Sequence, residues 1–253
     1  MNSPQTHSNE ALANKTYISS HREKIRINNL HAFYGESHIL HGIDMTVNQG
    51  ELVTLLGRNG SGRSTTLKAI MNMVGERSGQ IVINGHETIQ MPAHKIAHLG
   101  LGFCPEERGI FSSLNVEENL MLPPNVRSDG VSLEEIYDMF PNLYERRTSQ
   151  GTRLSGGEQQ MLALARILRT GANILLLDEI TEGLAPVIVQ KLGEVLSQLK
   201  ERGLTILLVE QNFRFAAPIA DRHYVMEHGH IVEEVHANEL ATKTELLNTY
   251  LGV

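Results

Sequence analysis

Residues 52–65 read Leu-Val-Thr-Leu-Leu-Gly-Arg-Asn-Gly-Ser-Gly-Arg-Ser-Thr, an apolar run that leads directly into a glycine-rich loop. The run predicts a buried strand over Leu52–Leu56, and the pattern after the loop predicts a helix over Thr65–Val74. From Gly57 to Ser64 the loop has the spacing G-x-x-x-x-G-basic-Ser. Glycines let the backbone wrap closely around a polyphosphate, and the loop and the helix N-terminus offer N–H donors to it. The predicted phosphate-binding residues are Gly57, Arg58, Asn59, Gly60, Ser61, Gly62, Arg63, Ser64 and Thr65.

The basic residue of this loop is Arg63, where the P-loop pattern has lysine. A guanidinium keeps the charge but is wider and planar, so it fits less well beneath the β- and γ-phosphates. We expect nucleotide binding to survive in weakened form and hydrolysis to suffer more, because positioning is most of phosphoryl-transfer catalysis. Ser64 would offer its hydroxyl to Mg²⁺, and Thr65 supplies another oxygen nearby. A glycine-rich turn without a ligand is the alternative, which the order of strand, loop and helix disfavours.

Two acids follow a second apolar run. Ile174–Leu177 predicts a buried strand, and Asp178 and Glu179 come directly after it. The carboxyl edge of a parallel sheet is where open α/β folds bind ligands. Asp178 can hold Mg²⁺ there, directly or through water, and Glu179 can act as a general base on a water aimed at the γ-phosphate. Helix capping is the alternative role for the pair, and the upstream loop makes it the weaker one.

Apolar strands alternate with helices along most of the chain. This alternation predicts an α/β fold with a parallel sheet covered on both faces. From about Pro105, prolines and short helical stretches indicate a helical insertion rather than part of the sheet. The remaining predicted strands are Ile25–Asn28, Ile39–Val47, Ile81–Ile83, Leu204–Val209 and a hairpin of Tyr224–Met226 with His230–Val232. The remaining predicted helices are Leu133–Phe140, Gly156–Thr170 and Pro186–Arg202.

The composition sets limits on function. The chain has 253 residues, with 22 Lys and Arg against 29 Asp and Glu, so binding to a nucleic-acid backbone is not expected. Its one cysteine, Cys104, cannot form an internal disulfide and fits a reducing compartment. The apolar runs are far shorter than the roughly 20 residues of a membrane-spanning helix, so a membrane role would come through a partner. Met1–Lys24 is polar and is predicted to be a disordered N-terminal extension.

The segment Leu154-Ser-Gly-Gly-Glu-Gln159 opens another of the predicted helices, and Ser155 lies 23 residues before Asp178. Ser155, Gly156 and Gly157 would form a second anion site at this helix N-terminus. Combined with the P-loop and the apolar-Asp-Glu run, the segment resembles the signature of the nucleotide-binding subunits of ABC transporters.

The resemblance covers about residues 25–253. It implies a P-loop NTPase of the ABC ATPase type, in which a mostly parallel core sheet carries an antiparallel β subdomain and a helical subdomain at about residues 105–170. It also implies that ATP and Mg²⁺ bind, that ATP is hydrolysed, and that two subunits pair head to tail. In such a dimer Ser155 faces the γ-phosphate held by the other subunit.

Further site residues follow from the resemblance, position by position. Tyr34 stands where the family stacks an aromatic ring on adenine. Glu106 occupies the place of the glutamine that links the metal site to the membrane subunit. Gln211 stands where most relatives have a switch histidine, and its amide can donate a hydrogen bond to the γ-phosphate but cannot titrate. The implied metal ligands are Ser64, Glu106 and Asp178, and the implied catalytic residues are Glu179 and Gln211.

Several segments resemble one branch of the family, the second ATP-binding subunit of importers for branched-chain or other hydrophobic amino acids. This branch implies ABC permease membrane subunits and a second ATP-binding subunit as partners, with a substrate-binding protein as an indirect one. It also implies a peripheral place on the cytoplasmic face of the plasma (inner) membrane. Importers of urea and short-chain amides are near neighbours. The segments are Pro105-Glu106, residues 111–119, Glu182–Pro186, Val209–Asn212 and Thr249–Gly252.

A different class of function is the main alternative. Arg63 is compatible with a nucleotide-binding regulatory or assembly module that has little ATPase activity. A DNA-repair or chromosome ATPase with the same head is disfavoured, because such heads carry a long coiled-coil insertion and this chain has none.

Two residue types outside these motifs are predicted to have no catalytic role. Cys104 is predicted to be a small buried packing residue. The histidines show no Cys/His cluster with zinc spacing, and surface positions are expected for His94, His98, His228 and His230.

Overall fold

The computed structural model describes residues 23–128 and 130–252. The first strand already begins at Glu23, which pairs with Asn48, so it starts two residues inside the predicted disordered extension. The rest of that predicted extension, Met1–Arg22, lies outside the described residues, as do Asp129 and Val253.

The described residues form two β-sheets. The strands of the larger sheet run in the order β10-β9-β3-β8-β7-β6, and those of the smaller sheet in the order β2-β1-β4-β5. In chain order they are β1 (Glu23–Tyr34), β2 (Ser37–Asn48), β3 (Leu52–Gly57), β4 (Glu76–Ile83), β5 (His86–Glu87), β6 (Leu101–Cys104), β7 (Ile174–Asp178), β8 (Thr205–Glu210), β9 (Arg222–Glu227) and β10 (His230–His236).

Five strands of the larger sheet are parallel, and β10 is added antiparallel at its edge. In the register of the sheet, Leu55 of β3 lies between Val209 of β8 and Tyr224 of β9. The smaller sheet is antiparallel throughout. Both the mostly parallel core sheet and the antiparallel β subdomain predicted from the sequence are therefore confirmed, as is the β9–β10 hairpin.

Helices connect the parallel strands and fill the segment between β6 and β7. In chain order they are α1 (Arg63–Ile70), α2 (Ala93–Ala97), α3 (Val116–Met121), α4 (Leu133–Met139), α5 (Pro141–Glu145), α6 (Gly156–Arg169), α7 (Pro186–Glu201), α8 (Phe213–Ala216) and α9 (Leu240–Leu251). Short 3-10 turns cover Gly151–Arg153 and Ala237–Glu239. None of the helices within these described residues is long and apolar enough to cross a lipid bilayer.

The central strands are buried on both faces. In β7, Leu175 and Leu177 face the core that contains α6 and α7, while Ile174 and Leu176 face the core shared with α1 and the smaller sheet. Alternate residues of a strand point to opposite faces, so a strand covered on both sides must be apolar at every position. This explains why the continuous apolar runs identified the parallel strands.

Strand β1 is three times as long as the segment predicted from its apolar residues. Asn29 has a positive φ of 47°, and the pairing register of β1 with β2 shifts between Ile27 and Leu30. A bulge of this kind inserts a residue and reverses the inside–outside alternation, so the periodicity that predicts a strand is broken at this point.

Other boundaries differ for local reasons. Helix α1 ends at Ile70, four residues before the predicted end, and Asn72 follows with a positive φ of 55°. Strand β6, which was not predicted, is only four residues long and contains Gly102, whose Cα packs close to Ile167 of α6. Short edge strands carry too few residues for a periodicity signal.

Cys104 at the end of β6 is 1% exposed, as predicted for a packing residue, and burial raises the pKa of its thiol to about 12. The four histidines expected at the surface, His94, His98, His228 and His230, are all exposed.

Candidate functional site

The site lies at one edge of the larger sheet, where three neighbouring parallel strands end. Strand β3 ends in the glycine-rich loop and α1, β7 ends at Asp178, and β8 ends at Glu210. The loop passes close to β9 at Gly57, where a methyl group would collide with the carbonyl oxygen of Met226. Gly62, with a φ of 108°, adopts a left-handed conformation just before α1. The loop therefore depends on glycine at both of these positions.

A cavity of about 420 Å³ lies over this edge. It brings the loop and the start of α1 together with acids from two distant segments. Its lining consists of Ile39, Asn59, Gly60, Gly62, Arg63, Ser64, Thr65, Glu106, Glu179 and Glu182. Of these residues, Ile39 and Glu182 are not among the predicted site residues. Ile39 belongs to β2, next to the β1 strand that ends at the predicted adenine contact Tyr34, and Glu182 lies three residues after Glu179.

The loop has the polar groups that a polyphosphate requires. Gly62 gives α1 no side-chain cap, so the first N–H groups of the helix are left without an intrahelical acceptor. Arg63 Nη1 and Ser61 Oγ are buried and have no hydrogen-bond partner among the described residues. Unpaired buried donors are costly unless a ligand satisfies them. The chemistry of the loop therefore fits a bound polyanion.

Arg63 also binds the predicted general base directly. Its Nη2 donates to Glu179 Oε1 at 2.6 Å and to Asn59 Oδ1 at 3.1 Å. The Arg63 side chain is 3% exposed and the Glu179 side chain 14% exposed, so the ion pair is largely shielded from water. Glu179 is held at this point with a positive φ of 47°, an uncommon conformation for a residue other than glycine. The sequence did not predict this pairing.

The two carboxylates after β7 have different surroundings. Burial raises the pKa of Asp178, while a hydrogen bond from Ser64 acts in the opposite direction. Burial also raises the pKa of Glu179, while Arg63 lowers it. A raised pKa makes a carboxylate a better proton acceptor near neutral pH. Glu179 is therefore suited to act as a base once its partner Arg63 is drawn away.

The residues implied as metal ligands lie close together. Ser64 Oγ donates to Asp178 Oδ1 at 2.8 Å, and Ser64 and Glu106 both line the cavity. Carboxylate oxygens of Glu106, Glu179 and Glu182 lie within 4.8 Å of one another. Hydroxyl and carboxylate oxygens beside phosphates are the ligands that Mg²⁺ prefers, so this donor set fits the metal.

Comparison with known proteins identifies the family. The family model described as ABC transporter matches residues 40–182, which include the loop, the Leu154–Gln159 segment and the two acids. The chain belongs to the ABC transporter family. A crystal structure of a nucleotide-free ATP-binding cassette from an ABC transporter has the same fold, with a TM-score of 0.79 at 21% identity, covering 91% of this chain and 99% of that one.

Three relatives cover almost the whole chain. It is 40% identical to the high-affinity branched-chain amino acid transport ATP-binding protein BraG of Pseudomonas aeruginosa, over 87% of this chain and 96% of that protein. It is 36% identical to the probable branched-chain amino acid transport ATP-binding protein LivF of Archaeoglobus fulgidus, over 90% and 99%. It is 32% identical to the lipopolysaccharide export system ATP-binding protein LptB of Escherichia coli K12, over 88% and 95%.

The ABC signature segment lies outside the nucleotide cavity of its own chain. Ser155 is exposed and caps α6, accepting a hydrogen bond from the Glu158 amide while Glu158 binds back to Ser155 N. Gly156 lies against Arg108, and Gly157 is so close to Ile188 of α7 that a methyl group would not fit there. The predicted role of these three residues as a second phosphate site thus remains a prediction that requires a neighbouring subunit.

Four other predicted nucleotide contacts of the ABC site are also absent from the cavity lining, namely Gly57, Ser61, Tyr34 and Arg58. Tyr34 lies at the exposed end of β1, 42% exposed, where its ring is free to meet a base. The side chain of Arg58 points away from the cavity and donates to the carbonyl oxygens of Thr249 and Tyr250 at the end of α9. Of Arg58, only the backbone remains available to the phosphates.

Gln211 and Glu179 line a second, adjoining cavity of about 270 Å³. Next to Gln211, the side chain of Glu210 connects the two segments that carry the catalytic candidates of the ABC site. Its carboxylate accepts hydrogen bonds from the amide and hydroxyl of Thr181 at 3.2 and 3.0 Å and from the Asn212 amide at 3.4 Å. No role is predicted for Glu210 from the sequence, where its only signal is a carboxylate at the end of an otherwise apolar strand.

Glu210 should make the stability of the protein depend on pH. It is 2% exposed, and burial raises its pKa from 4.5 to about 7. The folded state therefore binds the proton more tightly than the unfolded state, and stability falls as pH rises from about 4.5 to 7. With 1.36 kcal/mol per pKa unit, the loss is about 1.5 kcal/mol between pH 5.5 and pH 7. Denaturant unfolding of the natural chain and of Glu210→Gln should show this slope only in the former.

The matched control for this experiment is Glu201→Gln, at an exposed position at the end of α7. This variant should keep the pH slope of the natural chain. Parallel pH profiles for the natural chain and Glu210→Gln would mean that Glu210 does not titrate in this range.

Proposed function

We propose that this ABC transporter ATP-binding subunit drives the uptake of branched-chain or other hydrophobic amino acids. The observation that carries the proposal is the single cavity in which the loop residues Arg63 and Ser64 meet Glu179, with Asp178 bound to Ser64. The amino-acid class is supported by the names of BraG and LivF, the more similar of the three relatives. Importers of urea or short-chain amides are an alternative within the same proposal.

The residues of the cavity suggest how ATP would be hydrolysed. The loop amides and Arg63 would bind the β- and γ-phosphates, and Ser64 and Asp178 would hold Mg²⁺. The metal, when bound, would neutralise charge on the phosphate oxygens. Glu179 would accept a proton from the attacking water, and the Gln211 amide would donate a hydrogen bond toward the γ-phosphate. Each role uses a backbone amide or a side chain at the edge where β3, β7 and β8 end.

The ion pair of Arg63 with Glu179 adds a step to this scheme. A γ-phosphate carries more negative charge than a single carboxylate and competes with Glu179 for the guanidinium. Arrival of ATP would therefore draw Arg63 away from Glu179 and leave the carboxylate free to act on water. The base would become available only when the substrate is in place.

Coupling to transport would require other subunits. Ser155 and the N-terminus of α6 are exposed and would close over the triphosphate of a second ATP-binding subunit. Glu106, beside the nucleotide and at the start of the helical segment, would transmit this closure to ABC permease subunits. Attachment to the cytoplasmic face of the membrane would then be peripheral, and a substrate-binding protein would take part only indirectly.

Co-expression with the permease subunits from the same genome tests the proposal. The chain should sediment with membranes only when a permease is present, and the complex should take up radiolabelled leucine in an ATP-dependent way. Labelled urea and acetamide serve as matched alternative substrates. Failure to associate with any permease, or assembly into a complex that exports lipid as the relative LptB is named for, would contradict the proposal.

A second candidate function has one specific observation in its favour. With Glu179 bound to Arg63 at 2.6 Å, the chain could bind nucleotide and hydrolyse it only very slowly. It would then act as a regulatory or assembly module rather than as a motor. A complete complex that transports leucine but loses no transport when ATP hydrolysis by this chain is abolished would favour this second function.

A further inference from the structure

Four imidazole rings lie side by side where β1, β2 and β10 meet, and none of them lines the nucleotide cavity. His31 of β1 and His41 of β2 are directly opposite each other in the antiparallel pair, and His38 lies three residues before His41 in β2, opposite Phe33. His230, the first residue of β10, adds a ring from the other sheet. His31 and His41 are half-buried, whereas His38 and His230 are exposed. Directly paired residues on one face of a sheet have their Cβ atoms close enough for joint contacts.

The first two rings already have nitrogen atoms at ligand spacing. His31 Nδ1 lies 3.0 Å from His38 Nε2. His31 Nε2 lies 3.2 Å from Asn29 Oδ1, and because a carbonyl oxygen only accepts, this nitrogen carries the proton of His31. The lone pair of His31 is therefore on Nδ1 and points toward His38. Metal-binding histidines are usually held in this way, with the second ring nitrogen donating to an oxygen.

The other two rings extend the group toward the β9–β10 hairpin. The centroid of His41 lies 4.0 Å from that of His38 and 5.1 Å from that of His230. Gly229 leaves space for the His41 ring, and its carbonyl oxygen accepts from the His41 amide at 2.9 Å. Burial lowers the pKa of His41, and His38, His230 and His31 lower it further. A lowered pKa favours the neutral form of the His41 ring, which is the form that binds metal.

We propose that His31, His38 and His41 bind a divalent transition metal ion of the Zn²⁺ type, with His230 available as a fourth ligand. His38 would move its proton from Nε2 to Nδ1, so that the Nε2 lone pair faces the ion without net proton release. The third nitrogen would come from His41 after rotation of its ring, because the nitrogens of the three rings do not yet all lie within 4.8 Å of one another. Imidazole suits Zn²⁺, Ni²⁺ and Cu²⁺ and not Mg²⁺, so this site is distinct from the magnesium ligands at the nucleotide cavity.

Such an ion would join β1 and β2 of the smaller sheet and, through His230, the edge of the larger one. The inference does not depend on the proposed function, because none of the four histidines lines the nucleotide cavity. A chain that fails to support amino-acid uptake could still bind the metal, and a chain that supports uptake could fail to bind it.

Calorimetric titration of the full, untagged chain with ZnCl₂ in the absence of nucleotide tests the proposal. We expect one Zn²⁺ per chain, and tetrahedral Co²⁺ absorption bands when CoCl₂ replaces zinc. His38→Gln and His31→Gln should each weaken Zn²⁺ binding at least tenfold. Because His38 is exposed, His38→Gln should leave the circular dichroism spectrum unchanged.

The matched control is the double variant His94→Gln/His98→Gln, which removes an exposed histidine pair spaced four residues apart at α2. It should bind Zn²⁺ like the natural chain. The proposal is overturned if His38→Gln, folded as judged by circular dichroism, loses less than tenfold in affinity. It is also overturned if the control variant loses the site.

Discussion

Glu179→Gln is expected to lower ATP hydrolysis by the complete transporter complex about 100- to 10,000-fold while leaving MgATP bound. A glutamine side chain has the size of glutamate but cannot accept a proton from water, and general-base catalysis is worth about this factor. The substitution also removes the negative partner of Arg63, which now interacts with the bound phosphates alone. Phosphate release measures the first effect, and equilibrium binding of a fluorescent ATP analogue measures the second.

Glu201→Gln is the control for this change, because Glu201 is exposed at the end of α7 and remote from the cavity. Its hydrolysis rate should stay within about twofold of the natural rate. If Glu179→Gln keeps more than a tenth of the natural rate, Glu179 is not the general base. Glu210 would then be the next carboxylate to test.

Arg63→Lys is expected to raise ATP hydrolysis about ten- to a hundredfold in the same complex. The guanidinium binds Glu179 Oε1 and Asn59 Oδ1 with one nitrogen and has a second nitrogen, Nη1, unpaired within the described part of the chain. An ammonium is a compact point charge that can bind the phosphates without the forked pair of nitrogens of a guanidinium. Glu179 is therefore released more readily. The rate is measured as phosphate release at saturating ATP.

The control arginine is Arg202, which also pairs with a glutamate, Glu135, at 2.9 Å but on the surface. Arg202→Lys should leave hydrolysis unchanged, because exposed pairs of this kind contribute little. In the double variant Arg63→Lys/Glu179→Gln, hydrolysis should be as slow as in Glu179→Gln alone. If the natural chain turns over as fast as Arg63→Lys, the ion pair does not restrain the base, and Gln211 becomes the residue to vary.

Much of the nucleotide site could be predicted because it depends on backbone topology. The ends of adjacent parallel strands meet at one edge, so an apolar run followed by the glycine loop and another followed by Asp178 and Glu179 are brought together in any fold of this class. The contact between Ser64 and Asp178 follows from that geometry. A sequence pattern is sufficient when the position of a residue on its strand decides its neighbours.

The contacts that were not predicted join residues far apart in the sequence, and they depend on the conformations of the side chains involved. Arg63 and Glu179 are 116 positions apart, and whether the guanidinium turns to the carboxylate or to the solvent is decided by packing around both. The group of four neighbouring histidines was likewise hidden, because the bulge at Asn29 breaks the alternation from which the pairing of His31 with His41 could have been predicted. Patterns along the chain carry no information of this kind.

The buried thiol of Cys104 has a practical consequence for spectroscopy. Only a thiolate reacts with maleimides, and a thiol whose pKa is near 12 and whose sulfur is shielded stays unmodified at neutral pH. A fluorophore or spin label could therefore be placed on a cysteine introduced at an exposed position such as Tyr144 or Val187 without first mutating the natural one. Distances from such a probe to one on a second ATP-binding subunit would test whether the two subunits approach and separate during turnover.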